Sequence, residues 1–168
     1  SSSMTAEKLG AATAAAKAFV AALTPPRDRA GLISFDAEAR LVEGLTGNPA
    51  RLDLALDGLQ PGLGTAVDAG LRAALGELAG PRSRPDATRV IVLLTDGRNN
   101  AGPGPVRAVA AEARDAWGVR LYTVALGDDA DLALMREIAG DPRRAFVSPR
   151  PEDLLRIFED IVGLIPCD

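Results

Sequence analysis

VIVLLTDG, residues 90–97, decides how this chain folds. Five consecutive apolar residues, Val90 to Leu94, match a strand covered by helices on both faces rather than one with a wet side. Asp96 follows directly, at the carboxyl end of what reads as the most buried strand of the sequence. Outward from it, RAGLISFD ends a short strand at Asp36, ARLVEGL reads as a second, edge strand, GVRLYTVALG as another buried strand and RAFVS as the last.

Helical patterns alternate with these strands. Leu9, Ala12, Ala16, Phe19, Val20 and Leu23 recur at helical spacing until Pro25-Pro26 stops them. Asn48 is a cap with Pro49 at the first helical position, and AVDAGLRAALGEL is amphipathic after the Gly-rich turn QPGLGT. GRNNAGPGP reads as a loop before the helix VRAVAAEARDAW, and ADLALMREIAG as a short helix. PEDLLRIFEDIVGLI closes the chain with Leu154, Leu155, Phe158, Ile161 and Val162 on one face. Strand–helix alternation predicts an α/β fold, a doubly wound, mostly parallel sheet with helices on both faces, forming one domain over residues 1–168. The chain opens on a helix where such a sheet normally opens on a strand.

Bulk composition narrows the function. A net charge of −4 speaks against a nucleic-acid footprint, and no apolar run approaches the length of a membrane span. With no histidine, the chain can build neither a Ser-His-Asp triad nor a His-ligated zinc site. The single Cys167 cannot form an internal disulfide. GLGTAVDAG superficially resembles a dinucleotide-binding glycine pattern, but its third glycine is displaced and it follows Pro61 rather than a strand. No phosphate-binding G-x-x-x-x-G-K-[ST] occurs, so any ATPase chemistry is expected to belong to another chain or domain.

Ligands of open α/β sheets sit beyond the carboxyl ends of the strands. Asp96 lies there, Thr65 ends the Gly-rich turn, and Ser1 and Ser3 immediately precede the first helix. These are hydroxyls and one carboxylate, all oxygen, which suits a hard cation such as Mg²⁺. An ion held mostly by neutral hydroxyls keeps surplus charge and favours an external carboxylate. Each residue also has a plainer reading. Thr65 with Asp68 fits a capping box, and Asp96-Gly97 fits a turn. Ser1–Ser3 could be an appended cloning remnant. Asp36 reads as a turn or cap residue, Asp128, Asp129 and Asp131 as acids near a helix start, Trp117 and Tyr122 as packing, and Asn99 and Asn100 as a solvated loop, with partner contact as the alternative.

SSSM…KL, GLGT…GL and VIVLLTDG, in that order, resemble the von Willebrand factor A domain with its metal-ion-dependent adhesion site. The resemblance covers the whole chain and implies a Rossmann-like fold. It matches Ser1, Ser3, Thr65 and Asp96 to metal ligands. It also implies Mg²⁺ (or Mn²⁺ or Ca²⁺) as cofactor and a protein partner presenting an Asp or Glu side chain, in adhesion-type binding without catalysis. The family's remaining aspartate would stand two residues before Ser1. On that reading the domain is N-terminally incomplete, and its first strand, central in the sheet, would lie between GLISF and VIVLL. Two further expectations rest on resemblance alone. A bacterial, secreted or membrane-anchored setting is favoured over the cytoplasm, and the alternative function is a subunit working with an AAA+ ATPase, chelatase-like or chaperone-like.

Overall fold

Thr5 opens the first helix, α1 (Ala6–Ala21), its Oγ1 accepting the Lys8 N–H at 3.3 Å. The computed structural model describes residues 5–97, 99–127, 130–148 and 150–165. β1 (Ala30–Phe35) and β2 (Ala39–Thr46) pair antiparallel. Asp36 makes their turn: its N–H donates to the Glu38 carbonyl at 2.9 Å and its Oδ1 accepts the Glu38 N–H at 3.1 Å. α2 (Pro49–Asp57) starts as its sequence predicts, with Asn48 Oδ1 accepting the Ala50 N–H at 3.0 Å. Then come α3 (Val67–Ala79), β3 (Val90–Thr95), α4 (Pro103–Asp115), β4 (Arg120–Leu126), α5 (Leu132–Ala139), β5 (Ala145–Ser148) and α6 (Leu154–Leu164). β3, β4 and β5 form a parallel sheet in that order.

Side-chain alternation along β3 and β4 divides the core into two layers. Ile91, Leu93, Leu121 and Ala125 pack with α3, α4 and α5. Val92, Leu94, Tyr122 and Val124 face α1 and α6, where Phe19 and Phe158 meet edge-to-face with ring centroids 6.2 Å apart. The buried Tyr122 donates its hydroxyl to the Leu164 carbonyl at 3.1 Å, fastening the last helix.

Several expectations need correction. β4 is buried from Leu121 to Leu126, whereas Val90, Val92 and Leu94 of β3 are only half-buried, so β3 is not the most buried strand. The reason is architectural. β1 and β3 lie in different sheets, and a cavity of about 780 Å³ lined by Leu32, Ile33, Phe35, Val92, Leu94 and Phe158 lies between them. The α4 helix begins at Pro103, inside the presumed loop, because proline's fixed φ and missing N–H suit a first helical turn. On α6 the buried face is Leu154, Ile157, Phe158 and Ile161, while Leu155 is 46% exposed. Trp117, just past α4, is 39% exposed, so its ring is only partly covered.

Two sets of contacts bridge the ends of the cavity. At one end the Arg29 guanidinium donates to the Arg82 carbonyl at 2.8 Å, and Arg84 donates to the carbonyls of Arg27 (2.6 Å) and Pro26. At the other, the Ala66 N–H donates to the Asp36 carbonyl at 2.7 Å and the Asn100 N–H to the Thr65 carbonyl at 2.8 Å. The carboxyl ends of β1 and β3 are therefore tied through the Thr65 loop.

The hairpin is also clamped to α3. Glu77, buried on α3, accepts Arg82 in a two-pronged pair at 2.7 Å per prong and the Leu45 N–H of β2 at 2.8 Å. The Arg82 guanidinium, with the Leu45 N–H, holds the Glu77 carboxyl below its ordinary value against the opposing effect of burial. A lowered folded-state value means that this contribution is complete above the unfolded carboxyl value and fades as pH falls through the folded one. Glu77→Ala is expected to cost about 1–3 kcal/mol, because it leaves the Leu45 N–H unmatched. Urea melts at pH 7 and pH 3 check this: the gap between wild type and variant should shrink at the lower pH.

Candidate metal centre

Gly64 sets up the centre by taking φ +94°, a backbone state that side chains disfavour. A Cβ there would lie 2.9 Å from Asn100 Nδ2 and 3.0 Å from the Ala37 N–H nitrogen. The chain then delivers Thr65, 6% exposed, between the two strand ends. Gly64→Ala should therefore displace this loop at a cost of about 1–3 kcal/mol. It should weaken divalent-cation binding while β4 and β5 stay protected in hydrogen exchange.

The helix after Thr65 is not capped in the way the capping-box reading supposes. The N-cap position is Ala66, one residue later, and its own side chain makes no capping bond. The cap comes instead from another loop. Asn99 Oδ1 accepts the Val67 N–H at 2.8 Å, and Asn99 Nδ2 donates to the Gly102 carbonyl at 2.7 Å. Asn99 is buried, not solvated, and it locks the loop after β3 to the start of α3. Its neighbour Asn100 is exposed, as expected for a surface loop.

Asp96 is the first residue after β3, and its side chain is fully buried. The flanking Thr95 hydroxyl lies 3.4 Å from the Gly97 N–H nitrogen, so the backbone turns at the carboxylate. Lys8, reaching over from the first turn of α1, places Nζ 3.4 Å from Asp96 Oδ2. Its side chain keeps 21% exposure. Asp36 stands at the rim, where the Glu38 N–H holds its carboxyl below the ordinary range, as befits a turn residue. Asp131 Oδ1 caps α5 by accepting the Leu134 N–H at 3.0 Å.

Of the four sequence-nominated residues, Thr65 and Asp96 thus come to the same end of the sheet, linked through Asn99 and Asn100. Ser1 and Ser3 lie outside the described residues, as do Asp128, Asp129 and Cys167. Among the described residues, no three His, Cys, Asp or Glu side chains gather as a metal cluster. A site of hydroxyls plus one carboxylate would not form such a cluster. What fits a hard cation is the chemistry: a buried carboxylate that already has a positive charge against it, beside a hydroxyl-bearing loop. Two contacts at this end of the sheet were not legible in the sequence. Asn99 carries no local signal, because its partner is 32 positions away. Lys8 carries a faint one: it is one of only two lysines in a chain whose basic residues are otherwise all arginine.

Comparison with known proteins identifies the family and the fold. The family model for the von Willebrand factor type A domain matches residues 1–160. A UPF0353 protein of Mycolicibacterium paratuberculosis is 35% identical over 130 residues, 71% of this chain and 38% of that one. Human matrilin-1 is 31% identical over 127 residues, covering 71% of this chain and 25% of matrilin-1. Proximal thread matrix protein 1 from the mussel byssus, solved with a zinc-occupied MIDAS motif, superposes with a TM-score of 0.82 at 25% identity, covering 92% of this chain and 40% of that chain. The chain thus spans between a quarter and two-fifths of the length of these relatives. It belongs to the von Willebrand factor type A domain family.

Proposed function

We propose that this domain is a non-catalytic, divalent-cation-dependent protein-binding module whose partner supplies an Asp or Glu side chain. In this reading Asp96 and Thr65, with Ser1 and Ser3, hold Mg²⁺, with Mn²⁺ and Ca²⁺ as alternatives of the same oxygen-seeking character. When bound, the cation offers an open coordination position to the partner's carboxylate. Asp96 provides the negative charge, and Thr65 a neutral oxygen that leaves the ion's charge largely unquenched. Asn99 holds the two loops in register. The carrying observation is the full burial of the Asp96 carboxylate at the end of β3 with a cationic group against it. The zinc-occupied motif of the mussel neighbour supports it. Nothing in the donor set activates a nucleophile, and a secreted or surface-anchored setting belongs to the same reading.

The test is direct. Melting midpoints should rise with Mg²⁺, Mn²⁺ or Ca²⁺ at millimolar concentration and fall back with EDTA. A resin displaying glutamyl peptides should then retain the protein only with the cation present, and a glutaminyl resin should not. No midpoint shift with any of the three ions would overturn the reading.

A further inference from the structure

We propose that Lys8 sets the cation affinity of this centre: its ammonium is the resident counter-charge of Asp96, and a divalent ion has to displace it. This rests on the metal-binding reading above and adds to it a built-in competitor. A carboxylate with no side-chain exposure is stabilised by a positive charge nearby. Lys8 Nζ supplies one at 3.4 Å from Asp96 Oδ2.

Three features make this a seat the ammonium can occupy and leave. Gly127, directly after β4, has no side chain, and a Cβ there would sit 3.4 Å from Nζ, so the ammonium rests between the ends of β3 and β4. The Lys8 backbone N–H donates to the Thr5 cap at 3.3 Å, and the ammonium sits at the end of a flexible four-carbon stem. Its 21% exposure gives the side chain a path to water. An ammonium and a divalent ion cannot share one carboxylate at such distances without strong repulsion. Part of the ion's binding free energy is therefore spent in displacing Lys8.

Lys8→Met keeps the stem and removes the charge, Lys8→Gln is a second neutral variant, and Lys8→Arg keeps the charge. Mn²⁺ affinity is measured by electron paramagnetic resonance of the free ion, and the melting midpoint is recorded in EDTA. Both neutral variants should bind Mn²⁺ on the order of tenfold more tightly and melt at a lower temperature in EDTA, with Lys8→Arg close to wild type. A merely structural lysine would lower stability without tightening binding. Wild-type or weaker Mn²⁺ affinity in both neutral variants, with wild type itself binding, would overturn the role of Lys8 alone. Absence of Mn²⁺ binding by the wild type would overturn the metal-binding reading and this inference together.

Discussion

Asp96→Ala is expected to lower Mg²⁺ and Mn²⁺ affinity by at least about a hundredfold while leaving the melting midpoint in EDTA nearly unchanged. The two halves of this expectation have separate causes. Among the described ligand candidates Asp96 is the single carboxylate, so its loss leaves neutral oxygens that cannot compensate for dehydrating a small divalent ion. Stability behaves differently because of what stays behind. Removing one member of a fully buried ion pair usually costs several kcal/mol, since the other charge is stranded. Lys8 is not stranded: its side chain already touches solvent and can turn outward. The burial penalty of the carboxylate also disappears with it. Asp96→Asn, closer in shape, should show the same loss of binding with an even smaller change in stability. Calorimetric titration beside thermal melts measures both quantities, and undiminished cation binding by either variant would remove Asp96 from the centre.

Much of the architecture was legible because its signals are local. The run Val90–Leu94 identifies a doubly covered strand by composition alone, and Asn48-Pro49 announces a helix start through two neighbouring residues. Misreadings arose where one local signal had two physical uses. Pro103-Gly104-Pro105 spells a loop, yet proline also suits the first helical turn, which is how α4 uses it. Leu155 and Ile157 are equally apolar, and only packing against α1 and the sheet selects Ile157.

The centre shows the same boundary. That Asp96 and Thr65 come to one end of the sheet could be read from their positions after a strand and after a glycine turn, because chain ends of parallel strands gather on one side of a sheet. Asn99 could not, since its capping bond joins elements that meet only in the folded chain. Nor could Lys8, for helical spacing says which way a side chain departs and not how far a long one reaches. The half-burial of Val92 and Leu94 was equally hidden: a residue's apolarity does not reveal whether the space beside it is filled.

That space leads to the expectation with the largest effect on stability. A segment of six consecutive apolar residues, fused through a short linker ahead of Ser1, should seat between β1 and β3 and raise the melting midpoint by about ten degrees or more. β1 and β3 are six residues each, so an added strand of equal length can pair along both facing edges. It should run parallel to them, because the carboxyl ends of β1 and β3 meet at the Thr65 loop. It must be apolar on both faces, because Phe158 of α6 lines one side of the cavity and Leu71 of α3 the other. Burying six such side chains contributes about 1.5–3 kcal/mol each. Ordering the backbone opposes this with about 1–2 kcal/mol per residue, which two new ladders of hydrogen bonds help to offset. A net gain of several kcal/mol, at about 2–4 °C per kcal/mol for a domain of this size, gives the stated shift. Placing an aspartate just after the strand should also tighten Mn²⁺ binding, by bringing a second carboxylate beside Asp96. A fusion with proline at the strand centre, unable to donate to either ladder, is the control. Hydrogen exchange should slow at Ile33–Phe35 and Val90–Leu94 in the apolar fusion only; equal exchange in both fusions would show that the cavity does not admit a strand.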